Sequence, residues 1–241
     1  MNQRPDAAPE PRRVGKTELH LVPPASFAEA GADVLAAALR GFRKRHLSVA
    51  LSGGSTPGPI YEALAGLPGI PWERIGIYFA DERAVPPDDP ASNYRLVRGA
   101  LIERVPIPAR SVHRMEAERP DLDGAAESYE RQLPSHLDVL VLGIGEDGHT
   151  ASLFPGSPNL RETARRVAPA RSPSPPTERL TITPPVVRSA GQIFLFARGR
   201  AKAGAVREAL LGEADVSRCP ARMARGGTWV VDTEAAAQLR L

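Results

Sequence analysis

Short apolar runs of strand character alternate with longer segments of helical period along this chain, and that alternation leaves few folds open. The apolar runs fall at residues 18–22, 47–51, 75–80, 137–142, 179–183, 192–197 and 228–231. Between them, residues 27–45 carry apolar side chains at three- and four-residue spacing through Ala28, Val34, Leu35, Ala38, Leu39 and Phe42. Residues 59–65, 93–103, 125–133, 185–190 and 202–211, and the chain end from about Thr233, also read as helices. A helix between two strands carries the chain back to its starting end, so the strands run parallel and both faces of the sheet are covered. The expected architecture is α/β: a single domain over residues 17–241, with a mostly parallel, Rossmann-like sheet between helices. Residues 1–16, rich in Pro, Ala and charge and without apolar period, read as a disordered leader. Ligands of such sheets bind outside the carboxyl ends of the strands, which directs attention to the loops that follow them.

Bulk properties narrow the function. A chain of 241 residues closes a substantial core without metals or disulfides. Cys219 is the only cysteine, so no intrachain disulfide forms and no Cys/His cluster offers a zinc site; a reducing cytoplasm is the expected compartment. The 31 basic residues are interspersed with 28 acidic ones, for a net charge of +3, and this spread argues against a nucleic-acid partner. No apolar run approaches the roughly 20 residues of a membrane span, and no signal-peptide core opens the sequence, so no membrane partner is expected. Lysine is scarce: Lys16 and Lys44 sit in polar settings, and only Lys202 follows a strand.

The run at 47–51 opens into Ser52-Gly53-Gly54-Ser55-Thr56-Pro57, after which a helix begins. Two glycines let the backbone approach an anion, hydroxyls flank them, and an early proline suits the first helical turn. The free N–H groups and positive dipole end of that helix suit a phosphate. No lysine follows the glycines, so this is not the loop of nucleotide triphosphatases; an ordinary capped turn is the alternative for the loop taken alone. The run at 75–80 stops at Asp81-Glu82-Arg83, where Asp81 suits a sugar hydroxyl, Arg83 an anion or a salt bridge, and Glu82 a salt bridge within the loop. The run at 192–197 leads to Lys202 at a helix start, a poor position for a cation unless an anion shares it; a solvated lysine is the alternative. Residues 171–177, RSPSPPT, read as a surface excursion.

The run at 137–142 ends in Gly143-Ile144-Gly145-Glu146-Asp147-Gly148-His149. Its glycine spacing matches a dinucleotide fingerprint, which requires a following helix and an acidic residue about 20 positions onward. Pro155, Gly156 and Pro158 cut that helix short, Arg165 and Arg166 stand near the ribose position, and Glu162 comes too early. The other reading is hydrolytic. Histidine, with an unperturbed pKa of about 6.5, is the natural base at neutral pH, so His149 is the candidate. Asp147 would orient the imidazole, hold a water or shape the turn. Backbone N–H groups of the turn would face a developing oxyanion, where one donor is typically worth about 3 kcal/mol. His20, His46, His113 and His136 lack such company and read as structural or surface residues. Ser152 has no G-x-S-x-G elbow and reads as a turn hydroxyl.

Three blocks, SGGSTP from Ser52, FADERAVPPDDPASNY from Phe79 and GIGEDGHTASLFPG from Gly143, resemble the 6-phosphogluconolactonase family. ERLTITPP from Glu178 and the helix start at Gly199 and Lys202 are similar too, so the resemblance runs from about Thr17 to the chain end, where Arg222 departs from it. It implies hydrolysis of 6-phospho-D-glucono-1,5-lactone to 6-phospho-D-gluconate by a protein needing no metal or organic cofactor, as a monomer or weak homo-oligomer. Carried onto these positions, His149 is the base and Asp147 its support. The phosphate falls to Ser52, Gly53, Gly54, Ser55, Thr56 and Lys202, with Arg83 and Arg179, and Asp81 binds the sugar. Glucosamine-6-phosphate deaminase shares the SGGSTP loop and a Gly-His turn, but in that family an Asn-Glu-Pro segment follows the histidine. Here Ser152, Leu153, Phe154 and Pro155 take its place. A sugar-phosphate-sensing module is the non-enzymatic alternative, and such modules usually carry an added DNA-binding helix pair for which the leader is too short.

Overall fold

A computed structural model of the chain describes residues 11–213 and 215–240. Seven strands form one sheet in the order β1 (Arg12–Val14), β2 (Thr17–Val22), β10 (Thr228–Asp232), β9 (Gln192–Ala197), β6 (Val139–Gly143), β3 (Leu47–Leu51) and β4 (Ile75–Phe79). Every neighbouring pair is parallel except β1 with β2. Strands β3, β4, β6 and β10 are buried over nearly their whole length, as apolar strands covered on both faces must be. The expected α/β class, mostly parallel with helices on both faces, holds. One apolar core joins residues from Leu19 to Ala235.

Chain order positions the site. From β3 the chain steps outward to β4 at the sheet edge, then returns to the other side of β3 as β6 and moves away through β9 and β10. The order reverses between β3 and β6, and such a reversal opens a crevice at the carboxyl ends of the two strands. The loops at 52–56 and 143–149 leave those two ends.

Three features depart from the sequence expectation. The predicted strand at 179–183 is β8 (Glu178–Ile182), and it belongs to a separate antiparallel sheet with β5 (Asp81–Arg83) and β7 (Val167–Arg171). Neither β5 nor β7 has a strand signature: β5 is three charged residues, and β7 carries Pro169, tolerated because β7 is an edge. The leader of residues 1–16 also needs correction at its end, since Arg12–Val14 pairs with β2 across the turn at Gly15 and Lys16 and covers that edge. Residues 1–10 lie outside the described part. Finally, the chain end from Thr233 forms turns, not a helix: Asp232 Oδ1 accepts the Ala235 amide at 2.7 Å and one α-type bond follows, from Ala236 to Asp232.

The helices are α1 (Phe27–Gly41), α2 (Pro57–Ala65), α3 (Asn93–Ala100), α4 (Leu122–Glu130), α5 (Pro184–Ser189) and α6 (Ala203–Leu211). Arg222, surprising in the sequence, is explained at the end of α6. Its Nη1 donates to the Glu208 carbonyl and carboxylate, both at 2.9 Å, and its Nη2 to Gly212 O at 2.6 Å. Arg225 donates to the carbonyls of Ala209, Leu210 and Gly212. Two guanidinium groups thus satisfy the unpaired carbonyls and the negative dipole end of the helix. Among the described residues, no helix is long and apolar enough to cross a membrane.

Candidate active site

The crevice between β3 and β6 is lined by Ser52, Gly53, Gly54, Ser55, Thr56, Asp81, Arg83, Arg179, Lys202 and His149. Asp147 stands behind His149 instead of on the wall. His20, His46, His113 and His136 lie elsewhere: His113, for example, stacks on Tyr78 with ring centres 4.5 Å apart.

The turn after β6 is folded around an acid and a base. His149 Nδ1 lies 2.6 Å from Asp147 Oδ1, which also accepts the His149 amide at 3.0 Å. Partial burial works to raise the Asp147 pKa, but the hydrogen bonds from His149 outweigh it and hold the carboxyl below the ordinary range. An ionised carboxylate only accepts, so Nδ1 of neutral His149 carries the proton and Nε2 is the basic nitrogen. The ring packs against Phe154 with centres 4.7 Å apart. Gly145 makes room for the pair, because a Cβ there would stand 2.1 Å from His149 Nδ1 and 2.5 Å from Asp147 Oδ1. The expected oxyanion role of the turn contracts: the amides of Gly145, Gly148 and His149 are taken up by His149 O, Gly145 O and Asp147.

Three cations, Arg83, Arg179 and Lys202, line the same pocket. Arg83 and Arg179 are paired across β5 and β8. Neither they nor Lys202 makes an ion pair among the described residues. Burial lowers the Arg179 pKa and the charge of Arg83 lowers it further, against the opposing charges of Asp81 and Glu82. Backbone carbonyls hold both: Arg83 Nη1 donates to Ala91 O and Arg179 Nε to Pro176 O at 2.8 Å, while Arg83 Nε is buried without a partner. The proline-rich excursion at 171–177 therefore serves the site, anchoring Arg179 and placing Ser172 on the wall. Lys202 occupies the N-cap of α6, and the loop before it is fixed by Asp232, whose two oxygens accept the Gly199 amide at 3.0 and 3.1 Å.

The loop at 52–56 joins these cations. Gly54 adopts φ 102°, a conformation side chains disfavour, and α2 begins at Pro57 with no side chain capping its first turn. Ser52 O is held by the buried Tyr61 hydroxyl at 2.8 Å, while Ser52 Oγ is buried without a partner. Glu82 is not the salt-bridge partner expected from sequence. Its carboxylate accepts the amides of Arg83, Asn93 and Tyr94 and the Ser92 hydroxyl, capping α3. Burial nonetheless raises its pKa. Asn93, Ser152 and Ser172 line the pocket without having been read from sequence as ligands, since nothing local to them signals it.

A family described as glucosamine-6-phosphate isomerases/6-phosphogluconolactonase has a sequence model that matches residues 23–231. The chain belongs to this family. A 6-phosphogluconolactonase of Synechocystis is 37% identical over 206 residues, covering 80% of this chain and 85% of that protein. One of Streptomyces coelicolor is 38% identical over 214 residues, 80% of this chain and 82% of the relative. The crystal structure of 6-phosphogluconolactonase from Thermotoga maritima superposes with a TM-score of 0.81 at 29% identity, over 90% of this chain and all of that one. This is therefore a family of enzymes in which the present chain is similar to the lactonases.

Proposed function

We propose that the chain hydrolyses 6-phospho-D-glucono-1,5-lactone to 6-phospho-D-gluconate in the oxidative pentose phosphate pathway, within the cytoplasm, with His149 as general base. The observation that carries this reading is one pocket lined both by His149, whose Nδ1 lies 2.6 Å from Asp147, and by an arginine pair that makes no salt bridge. The phosphate, a dianion near neutral pH, neutralises the repulsion between Arg83 and Arg179 and is met by Lys202 and the 52–56 loop. Anchoring it there leaves the lactone ring to reach toward the catalytic turn.

His149 Nε2 takes a proton from water as the water oxygen bonds to the lactone carbonyl carbon. Asp147 stabilises the imidazolium that results and keeps the ring from turning. Collapse of the tetrahedral adduct breaks the bond between that carbon and the ring oxygen, and the imidazolium returns the proton to the departing oxygen. The products of the step are a free carboxylic acid, which ionises, and a sugar hydroxyl. Asp81 accepts a hydrogen bond from a hydroxyl of the substrate.

The test is hydrolysis of freshly generated lactone with the spontaneous rate subtracted. A rate proportional to protein is expected. A rate equal to background, or release of ammonia from glucosamine 6-phosphate, overturns the assignment.

A further inference from the structure

Ser152 lies just beyond His149 and is 1% exposed, yet it lines the pocket. The backbone reaches it through Ala151, whose φ is 48°; among the described residues no other non-glycine has a positive φ. A side chain in that region costs about 1 kcal/mol or more, so the surrounding contacts must over-determine it. Those contacts are specific. The Ser152 hydroxyl donates to Asp81 Oδ2 at 2.6 Å, and the Ser152 amide donates to Thr181 Oγ1 at 3.1 Å. The kink at Ala151 therefore joins the loop that carries His149 to the strand edge that carries Asp81.

The second oxygen of Asp81 is held as well. Asn93 Nδ2 donates to Asp81 Oδ1 at 3.1 Å and to the Asp81 carbonyl at 2.8 Å, two acceptors that fix which way the amide faces. No cation pairs with Asp81 among the described residues. One neutral donor on each oxygen leaves further acceptor capacity on both, in a residue that lines the pocket. An acceptor clamped this way needs no rearrangement when a hydroxyl donor arrives, which is the condition for strong discrimination.

We infer that Ser152 is a positioning residue: through its hydrogen bond to Asp81, it sets the carboxylate that selects a phosphosugar lactone by one of its ring hydroxyls. This rests on the lactonase reading above. Ser152 has no nucleophilic part in it, because its hydroxyl is committed to Asp81 and not to His149.

The experiment compares kcat/KM for the parent lactone with that for analogues each lacking one ring hydroxyl, in the wild-type protein, Ser152→Ala, Asp81→Ala and the double variant. The ratio of two substrates on one preparation cancels the fraction of folded protein, so it is read even if Ser152→Ala is less stable. The wild type is expected to reject one analogue by about 10- to 100-fold, the range for a hydrogen bond to a charged group. Ser152→Ala should lose most of that preference, and in the Asp81→Ala background its addition should change nothing further. An unchanged preference in Ser152→Ala, or additive losses in the double variant, overturns the inference. Absence of lactone turnover by the wild type would instead remove the reading on which it rests.

Discussion

The two ends of the pocket are built on opposite principles. At the catalytic turn, charge is satisfied in advance: Asp147 is paired with the histidine it orients, and Gly145 leaves the space for them. At the proposed phosphate end, charge is left without an ion pair: Arg83, Arg179 and Lys202 line the pocket, backbone carbonyls hold the two arginines, and Asp81 and Glu82 favour the Arg179 charge without bridging it. On the proposed reading, one end is preorganised for proton transfer, and the other is completed by the substrate. The contrast also separates two kinds of buried arginine. Arg222, as buried as Arg179, is spent on the carbonyls that end α6, so burial by itself does not mark a ligand-binding arginine.

The largest effect should come from the satisfied end. His149→Ala is expected to lower kcat by about 100- to 10,000-fold with little change in KM, in a protein whose circular dichroism is unchanged. Near-wild-type turnover would break the comparison at once. At the unsatisfied end, Arg179→Met should raise KM by about 10- to 100-fold, through loss of a charge-assisted contact, and change kcat less. Without ligand it should be no less stable than the wild type, because burial and Arg83 both disfavour its charge. Thermal unfolding with and without inorganic phosphate checks this.

Arg222→Met sharpens the distinction from the other side. Its loss removes the ion pair with Glu208 and a charged donor from the carbonyls of Glu208 and Gly212, and denaturant unfolding should show a cost of about 1–3 kcal/mol with KM unaltered. The smallest effect concerns titration. The depressed pKa of Asp147 means that its stabilising interaction is present above the ordinary carboxylate value and is lost as pH falls through the depressed one. The carboxyl carbon signal of Asp147 should titrate below about 3.9 in the wild type and move upward in His149→Ala, where burial remains and the imidazole bond is gone. An unmoved midpoint would mean that the pair is not coupled.

The centre of the main sheet was legible because its strands are apolar along their length: β3 and β9 have the very limits the sequence predicts. The small sheet was not, because the three charged residues of β5 become a strand only by pairing with β8, nearly a hundred residues later. The site followed the same division. Loops leaving apolar strands announced Ser52, Asp81, His149 and Lys202. What holds those residues in place was hidden, since Ser152 reaches Asp81 across 71 residues and Asn93 across 12. The requirement for glycine at Gly145 is likewise a fact of distance to His149, with no signature in the sequence.

The division of the pocket is tested most directly by a crystal structure with 6-phosphogluconate bound. The phosphate is expected within hydrogen-bond reach of Arg83, Arg179 and the 52–56 loop, with the carboxylate carbon beside His149 Nε2. A phosphate seated at His149, or a ligand outside the crevice between β3 and β6, would contradict it.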